Sequence, residues 1–212
     1  MRLIGMLDSP FVRRTAVSLE HLGVVFQHQP VSVFSNFEQF RSINPMVKAP
    51  TLICDDGTVL MDSTLILQYA EANLSAGRSL WNPDPGQRAH DFRAVGLAMV
   101  ACEKSAQHIY EQNLRPPEAR FAPWMERVKG QFLAAYAALE KELSAHPETF
   151  EHADRHASIF PAIAWQFSYS MLARELPAAN YPGLVHLSER MEHSAQFLKY
   201  PPDGPGVPGP GA

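Results

Sequence analysis

Length, composition and charge narrow the classes of protein that this chain can form. Its 212 residues are 46% hydrophobic and 19% charged, so it can build one large domain or two small ones around a real core. A formal net charge of -4 argues against a nucleic-acid binder, and no apolar run approaches the roughly 18–20 residues of a membrane helix.

The N-terminal stretch and the cysteines indicate the compartment. Asp8 interrupts the first apolar run after a few residues, so we expect no signal peptide. Cys54 and Cys102 lie far apart in the sequence, and no Cys-x-x-Cys motif occurs. We therefore expect a cytoplasmic protein without a disulfide scaffold or dithiol chemistry.

Residues 1–75 mix strand and helix signals in the order β-α-β-α-β-β-α. The clearest element is a helix from Pro10 to Leu22, with Ser9 as its N-cap and Gly23 just past its end. The other predicted elements are strands at 3–7, 24–29, 51–54 and 58–61 and helices at 37–43 and 63–73.

Glycine and proline residues mark a linker at 76–86, after which every periodic segment is helical. The predicted helices span 87–114, 124–145, 158–175 and 183–193, and they indicate an all-helical domain over residues 87–200. The third of these is apolar nearly all round, which predicts the buried centre of a bundle. Residues 201–212 are rich in Pro and Gly and predict a flexible tail.

Ser9 is the first candidate for chemistry. Its hydroxyl can accept a hydrogen bond from the helix backbone and also donate one to a bound thiolate. A donor or a helix N-terminus lowers the pKa of a thiol, and a free cysteine with a pKa near ~8.5 is mostly protonated at neutral pH. A plain helix cap is the alternative, since Ser-Pro is also the pattern of an ordinary capped start.

Ala49-Pro50 is the second candidate, because an X-Pro bond can be cis at modest cost. A cis bond would turn the backbone of Ala49 outward, where its N–H and C=O could pair with an extended peptide. The alternative is an ordinary trans proline that opens a strand. The presence of Ser9 and Asp62-Ser63 in the same N-terminal region favours the cis form.

Asp62-Ser63 is the third candidate, at the start of a predicted helix. Either residue is a good N-cap, and a first helical turn also offers free N–H groups to an anion. Ser63 could bind a carboxylate through its N–H and hydroxyl, and Asp62 could meet an ammonium group. Lys48 could take a second carboxylate, although a solvated lysine is the commoner case.

Together, these residues resemble the glutathione S-transferase family, in its bacterial, serine-type form. The likeness covers nearly the whole chain, since residues 124–143 are similar to the second long helix of bacterial members and 181–204 to their C-terminal stretch. The N-terminal pieces that carry it are Ser9-Pro10-Phe11-Val12-Arg13, Asn44-Pro45, Lys48-Ala49-Pro50-Thr51-Leu52, and Asp62-Ser63 followed by Ile66 and Tyr69.

The resemblance implies an α/β thioredoxin-like N-terminal domain, an all-α C-terminal domain, and glutathione as co-substrate. It makes Ser9 the hydroxyl that activates the thiol. It also implies that Ala49 pairs with the cysteinyl backbone beside a cis Pro50 and that Lys48 reaches the glycyl carboxylate. Asp62 and Ser63 would bind the γ-glutamyl end. The partners it implies are a small, apolar electrophile and a second copy of the chain in a homodimer.

One position departs from the family's pattern. Members usually begin the central helix of the second domain with Ser or Thr and, three residues later, Asp, whereas Ser158 here is followed by Pro161. The acidic half of that capping arrangement is lost, although a proline is tolerated in a first helical turn. The change could act on folding rather than on catalysis.

Other sites are less well supported. Nine histidines raise the question of a metal, and His152 and His156 are four residues apart. No His-Glu-x-x-His motif or neighbouring cysteine accompanies them, so we expect no metal site. Cys54 and Cys102 are expected in the core rather than as nucleophiles.

The sequence thus predicts a glutathione transferase that deprotonates glutathione and directs the thiolate at an electrophile. One alternative is a glutathione-dependent reductase or peroxidase on the same scaffold. Another is a non-catalytic glutathione-binding or regulatory protein, which Pro161 slightly favours. Ser9 favours conjugation, because by resemblance disulfide chemistry would place a cysteine at that position.

Overall fold

The computed structural model describes residues 1–208, and these residues form two compact units. The first unit consists of Met1–Leu80 and Ala195–Gly206, and the second of Trp81–Ser194 together with residues 207 and 208. No helix within residues 1–208 combines the length and the apolar character that crossing a membrane requires.

The first unit has the thioredoxin-like arrangement that the sequence predicts. Its elements from residue 1 to 80 are β1 (Arg2–Ile4), α1 (Pro10–His21), β2 (Gln27–Gln29), α2 (Phe37–Ile43), β3 (Thr51–Ile53), β4 (Val59–Met61) and α3 (Ser63–Asn73). The strand order is β2-β1-β3-β4. β1 is parallel to β2 and antiparallel to β3, and β3 is antiparallel to β4.

The core of this unit follows the apolar pattern of its elements. Leu3 and Ile4 on β1 are both fully buried, and Ile4 packs against Val31 and Phe40. α1 begins at Pro10, where a missing N–H leaves no helical hydrogen bond unmade. The strands are shorter than predicted: the stretch 24–29 pairs with β1 only at Gln27–Gln29.

The chain returns to the first unit through a short helix, α8 (Ala195–Lys199), which the sequence analysis did not predict. Arg13 on α1 anchors this return. Its Nε donates to the Tyr200 carbonyl oxygen at 2.8 Å, and its guanidinium carbon lies 5.0 Å from the centroid of the Phe197 ring. The side chain of Arg13 is therefore buried and partnered inside the unit.

Asp8 holds the residues that follow α8. The Asp8 N–H donates to the Asp203 carbonyl oxygen at 3.1 Å, and the Gly206 N–H donates to Asp8 Oδ2 at 2.7 Å. These hydrogen bonds tie residues 203–206 of the predicted tail to Asp8, a partner that composition cannot register because it lies 198 positions away. Residues 209–212 lie outside the described part of the chain.

The second unit is the helical domain that the sequence predicts. Its α-helices are α4 (Pro85–Leu114), α5 (Ala122–Ala145), α6 (His156–Leu172) and α7 (Pro182–Glu192). α6 is largely buried, as its apolar surface predicts. α4 begins two residues before the predicted start, because Asp84 caps it by accepting from the Gln87 N–H at 2.9 Å. Pro85 and Gly86 are thus the first residues of a helix rather than part of a linker.

The start of α6 corrects the interpretation of Ser158 and Pro161. The helix begins at His156, so Ser158 is its third residue and not its N-cap. The Ser158 hydroxyl donates instead to the Phe150 carbonyl oxygen at 2.9 Å. Pro161 lies inside the helix rather than in a capping position, where it cannot donate to the carbonyl of Ala157.

Candidate functional site

The register of the sheet brings the predicted site segments to one edge. Ile4 on β1 pairs with Thr51 on β3, and Thr51 pairs with Met61 on β4. The turn that leads from β1 to α1, the Ala49–Pro50 bond that leads into β3, and the residues between β4 and α3 therefore lie along one line across the sheet. All of these segments belong to the first unit.

Ser9 stands at the N-terminus of α1, and its hydroxyl does not cap the helix. Its carbonyl oxygen accepts from the Arg13 N–H at 2.9 Å, but the side chain makes no capping hydrogen bond. The prediction that the hydroxyl accepts from the helix backbone is therefore wrong. The half-buried hydroxyl is left for a ligand, at the positive end of the helix dipole.

Asp8 joins the turn before Ser9 to residues 203–206. Burial raises the pKa of the Asp8 carboxyl, and the hydrogen bonds that it accepts from the N–H groups of Gly206 and Ser9 offset only part of this rise. In the sequence, Asp8 indicates only a break in an apolar run. No local pattern could have revealed its role, since its partners lie at the other end of the chain.

Asn44 shapes the loop that carries Lys48 and Ala49. Its buried amide nitrogen donates to Thr51 Oγ1 at 2.8 Å, and its Oδ1 accepts from the Met46 N–H at 3.1 Å. Thr51 Oγ1 in turn donates to the Lys48 carbonyl oxygen at 2.6 Å. The Ala49–Pro50 peptide bond that follows is cis, as the sequence predicts.

The backbone of Ala49 keeps its hydrogen-bonding capacity. No described residue forms a hydrogen bond with its N–H or C=O, so both groups can pair with an extended ligand. Gly5 lies close by with φ of 139°, and a Cβ there would stand 3.3 Å from the Ala49 Cβ. Lys48 is exposed and makes no ion pair within residues 1–208.

Asp62 caps α3 in a backbone conformation that is uncommon for a residue with a side chain. Its φ is 73°, and its Oδ1 accepts from the N–H groups of Thr64 at 2.9 Å and Leu65 at 3.3 Å. Such positive-φ residues cost on the order of 1–3 kcal/mol and occur at ligand clamps. One carboxylate oxygen is occupied by capping, which leaves Oδ2 to meet a cation.

Arg14 lies beneath the start of α3. Its Nη1 is 3.2 Å from Ser63 Oγ and also 3.2 Å from Thr64 Oγ1, and the side chains of Arg14 and Ser63 are both buried. Because Ser63 accepts from Arg14, its own hydroxyl proton can serve another acceptor. A guanidinium is always charged, so Arg14 places a buried positive charge beside the start of α3. Arg14 is not among the site residues predicted from the sequence, although a second arginine within an amphipathic helix is a visible signal.

Neither cysteine is placed for thiol chemistry. Cys54 and Cys102 are both free and buried, as the sequence predicts. Burial raises the pKa of the Cys54 thiol, and a hydrogen bond with Tyr69 lowers it only in part. A thiol in such surroundings is a poor nucleophile.

Comparisons with known sequences match the unit that carries these residues. A family model described as the N-terminal domain of glutathione S-transferase matches residues 3–78. The uncharacterized GST-like protein YibF of Escherichia coli is 34% identical over 74 residues, which cover 34% of this chain and 35% of that protein. The chain thus spans about a third of the length of this curated relative.

Solved structures match nearly the whole chain. A glutathione transferase family member from Pseudomonas fluorescens, with bound glutathione, is 26% identical, with a TM-score of 0.81 over 96% of this chain and 99% of that one. A glutathione S-transferase from Methylobacterium radiotolerans, in complex with glutathione sulfonate, shares the fold. Its TM-score is 0.84 over 97% of this chain and 96% of that one, at 23% identity.

Proposed function

Because this chain belongs to the glutathione S-transferase family, we propose that it binds glutathione on its first unit and activates the thiol for attack on a small, apolar electrophile. The observation that carries the proposal is the common sheet edge of Ser9, the Ala49–Pro50 bond and Asp62-Ser63. This edge offers a hydroxyl donor, a free stretch of backbone and a helix start. A peptide with a thiol in its middle and a zwitterionic end needs all three.

The binding roles follow from the chemistry of each group. The N–H and hydroxyl of Ser63 bind the γ-glutamyl carboxylate, and Asp62 binds the adjacent ammonium. The Arg14 guanidinium, 3.2 Å from Ser63 Oγ, supports a negative charge at this end. The N–H and C=O of Ala49 pair with the cysteinyl backbone, and Lys48 reaches the glycyl carboxylate.

Ser9 carries the chemical step. Its hydroxyl donates to the sulfur, and the N-terminus of α1 adds positive potential, so the pKa of the bound thiol falls below its free value near ~8.5. Each unit of this fall gives about tenfold more thiolate while the pH stays below the pKa. The thiol proton passes to solvent. The sulfur then donates its electron pair to the electrophilic carbon, and a leaving group departs with the electrons of the broken bond.

A glutathione titration followed by conjugation of a panel of electrophiles tests this proposal. We expect calorimetry to show one glutathione per chain, and Ser9→Ala to bind it normally while conjugating more slowly. Ser42→Ala, at an exposed serine of the same unit, is the matched control and should change neither property. Failure to bind glutathione would refute the site. Binding without conjugation of any electrophile would refute the enzymatic step and favour the non-catalytic alternative.

We also propose that the protein is a cytoplasmic homodimer with a role in detoxification. The two free, buried cysteines suit a reducing compartment, and the homodimer rests on the family resemblance. Size-exclusion chromatography with light scattering tests the assembly, and a monomer at assay concentrations would refute it. The reductase or peroxidase alternative is disfavoured because position 9 is a serine and Cys54 is buried.

A further inference from the structure

The second unit contains a cluster of metal-ligating side chains that the proposed function does not use. His90 on α4 and Glu142 on α5 share a hydrogen bond of 2.7 Å between Nδ1 and Oε1. The ring of His146 lies against that of His90, with the two centroids 3.8 Å apart. Potential ligand atoms of all three side chains lie within 4.8 Å of one another, in the only such group among residues 1–208.

The packing of α4 against α5 creates this cluster. His90 lies in the second turn of α4, and Glu142 lies in the last turn of α5. His146 follows Glu142 by four positions and ends α5 as its C-cap, so these two side chains project to the same side. The expectation of no metal site rested on His152 and His156; His90 and Glu142 are 52 positions apart and form no recognisable motif in the sequence.

The charge of Glu142 suits a cation. Its side chain is only 8% exposed, and its Oε2 accepts from Arg93 Nε at 2.7 Å. A second carboxylate lies at the rim, where Glu148 Oε1 is 3.5 Å from His146 Nδ1.

We propose that His90, Glu142 and His146 bind a divalent transition-metal ion, for which Zn²⁺ is the test ion. Two imidazoles and a carboxylate are a donor set that zinc accepts, with a fourth position left to water. Zinc-bound nitrogen and oxygen atoms stand roughly 3–4 Å apart, since each lies about 2 Å from the ion. The ion therefore replaces the hydrogen between His90 and Glu142, and these two atoms separate by a few tenths of an ångström.

The exposure of the cluster allows both entry and adjustment. The side chains of His90 and His146 are 30% and 36% exposed, so an ion can enter from solvent and the rings can rotate toward it. A bound ion ties the start of α4 to the end of α5. It therefore stabilises the folded second unit by an amount that grows with the logarithm of the ion concentration once this exceeds the dissociation constant.

Calorimetric titration of the full chain with Zn²⁺ tests the histidine ligands. We expect one ion per chain and a loss of about 100-fold in affinity in His90→Gln and in His146→Gln. Glutamine can still donate to Glu142 but is a poor zinc ligand. His152→Gln and His186→Gln, at exposed histidines of the same unit, are the controls and should bind like the parent. Parent-like affinity in either ligand variant, or an equal loss in the controls, would overturn the site.

Arg93→Gln tests the part assigned to Glu142. This change removes a competing positive charge and frees Oε2, so zinc affinity should rise severalfold. Unchanged or weaker binding would place the ion away from Glu142 and overturn the three-ligand site. Circular dichroism and thermal unfolding without zinc check that each variant folds. If one histidine variant does not fold, the other histidine variant and Arg93→Gln still decide the question.

Discussion

Replacing Ser9 by alanine separates the two roles that a serine can have at the start of a helix. A hydrogen bond to a charged group contributes roughly 1.5–3 kcal/mol. At ~1.36 kcal/mol per pKa unit, its loss should raise the pKa of bound glutathione by about 1–2 units. Conjugation near neutral pH should then slow by about 10- to 100-fold. Above both pKa values the two enzymes should conjugate at similar rates.

The structure also predicts what Ser9→Ala leaves unchanged. Because the hydroxyl makes no capping hydrogen bond, the free energy of unfolding should stay within about 0.5 kcal/mol of the parent. Removal of a true cap would cost about 1 kcal/mol. Glutathione affinity should also hold, since Asp62, Ser63 and Lys48 carry the charged contacts in the proposed site.

Three measurements decide between these roles. The pH dependence of conjugation and the ultraviolet absorbance of the bound thiolate report the pKa of glutathione, and urea unfolding reports stability. Ser42→Ala supplies the baseline for removing a serine hydroxyl from this unit. An unmoved pH profile would refute donation to the sulfur and leave the N–H groups of α1 as the source of thiolate stabilisation. An unmoved profile with a loss of about 1 kcal/mol in stability would make Ser9 a cap.

Three further changes probe the edge of the sheet. Ser63→Ala should weaken glutathione binding about tenfold or more by calorimetry, because one charge-assisted hydrogen bond is lost. Asp8→Asn should flatten the pH dependence of thermal unfolding. Burial raises the folded-state pKa of Asp8, so the parent loses stability as the pH rises from 3.8 through the raised value, whereas asparagine still accepts from Gly206 N–H without titrating. Gly5→Ala should lower the free energy of unfolding by about 1–3 kcal/mol, because its φ is 139° and a Cβ would stand 2.6 Å from Val12 Cγ2.

Matched variants show whether these effects are specific. Thr64→Ala removes the other hydroxyl at 3.2 Å from Arg14 Nη1 without removing a proposed ligand, so it should keep its affinity. Equal losses in Thr64→Ala and Ser63→Ala would contradict the role of Ser63. Gly130→Ala, in open space on α5, should be neutral or stabilising. A shared pH slope in Asp8→Asn and the parent, or an unchanged stability in Gly5→Ala, would contradict the other two arguments.

The elements that the sequence predicted best are those with local signals at their ends. α2 and α3 begin and end at the predicted residues, because caps and breakers act within a turn of the helix. Asp62 caps α3 with its side chain, as the Asp-Ser pair predicts. The three segments of the candidate glutathione site could be found in the same way, since each is a turn or a helix start with its own residue pattern.

Tertiary structure decided the features that depend on distant partners. β2 covers only Gln27–Gln29 of the predicted strand 24–29, because a strand lasts only as long as β1 lies beside it. Ser9 does not cap its helix, and Arg14 reaches Ser63 across to another helix, which no spacing along α1 reveals.

Two features show why contacts between distant residues stay hidden in the sequence: residues 203–206, and the cluster of His90, Glu142 and His146. The composition of residues 203–206 predicts a loose tail, yet their backbone forms two hydrogen bonds with Asp8. The second joins positions 52 residues apart on two helices that meet only in the folded chain. Propensity and capping act over a few neighbouring residues, whereas hydrogen bonds and ion pairs join groups that are close in space. Only the folded chain therefore determines which of these partners meet.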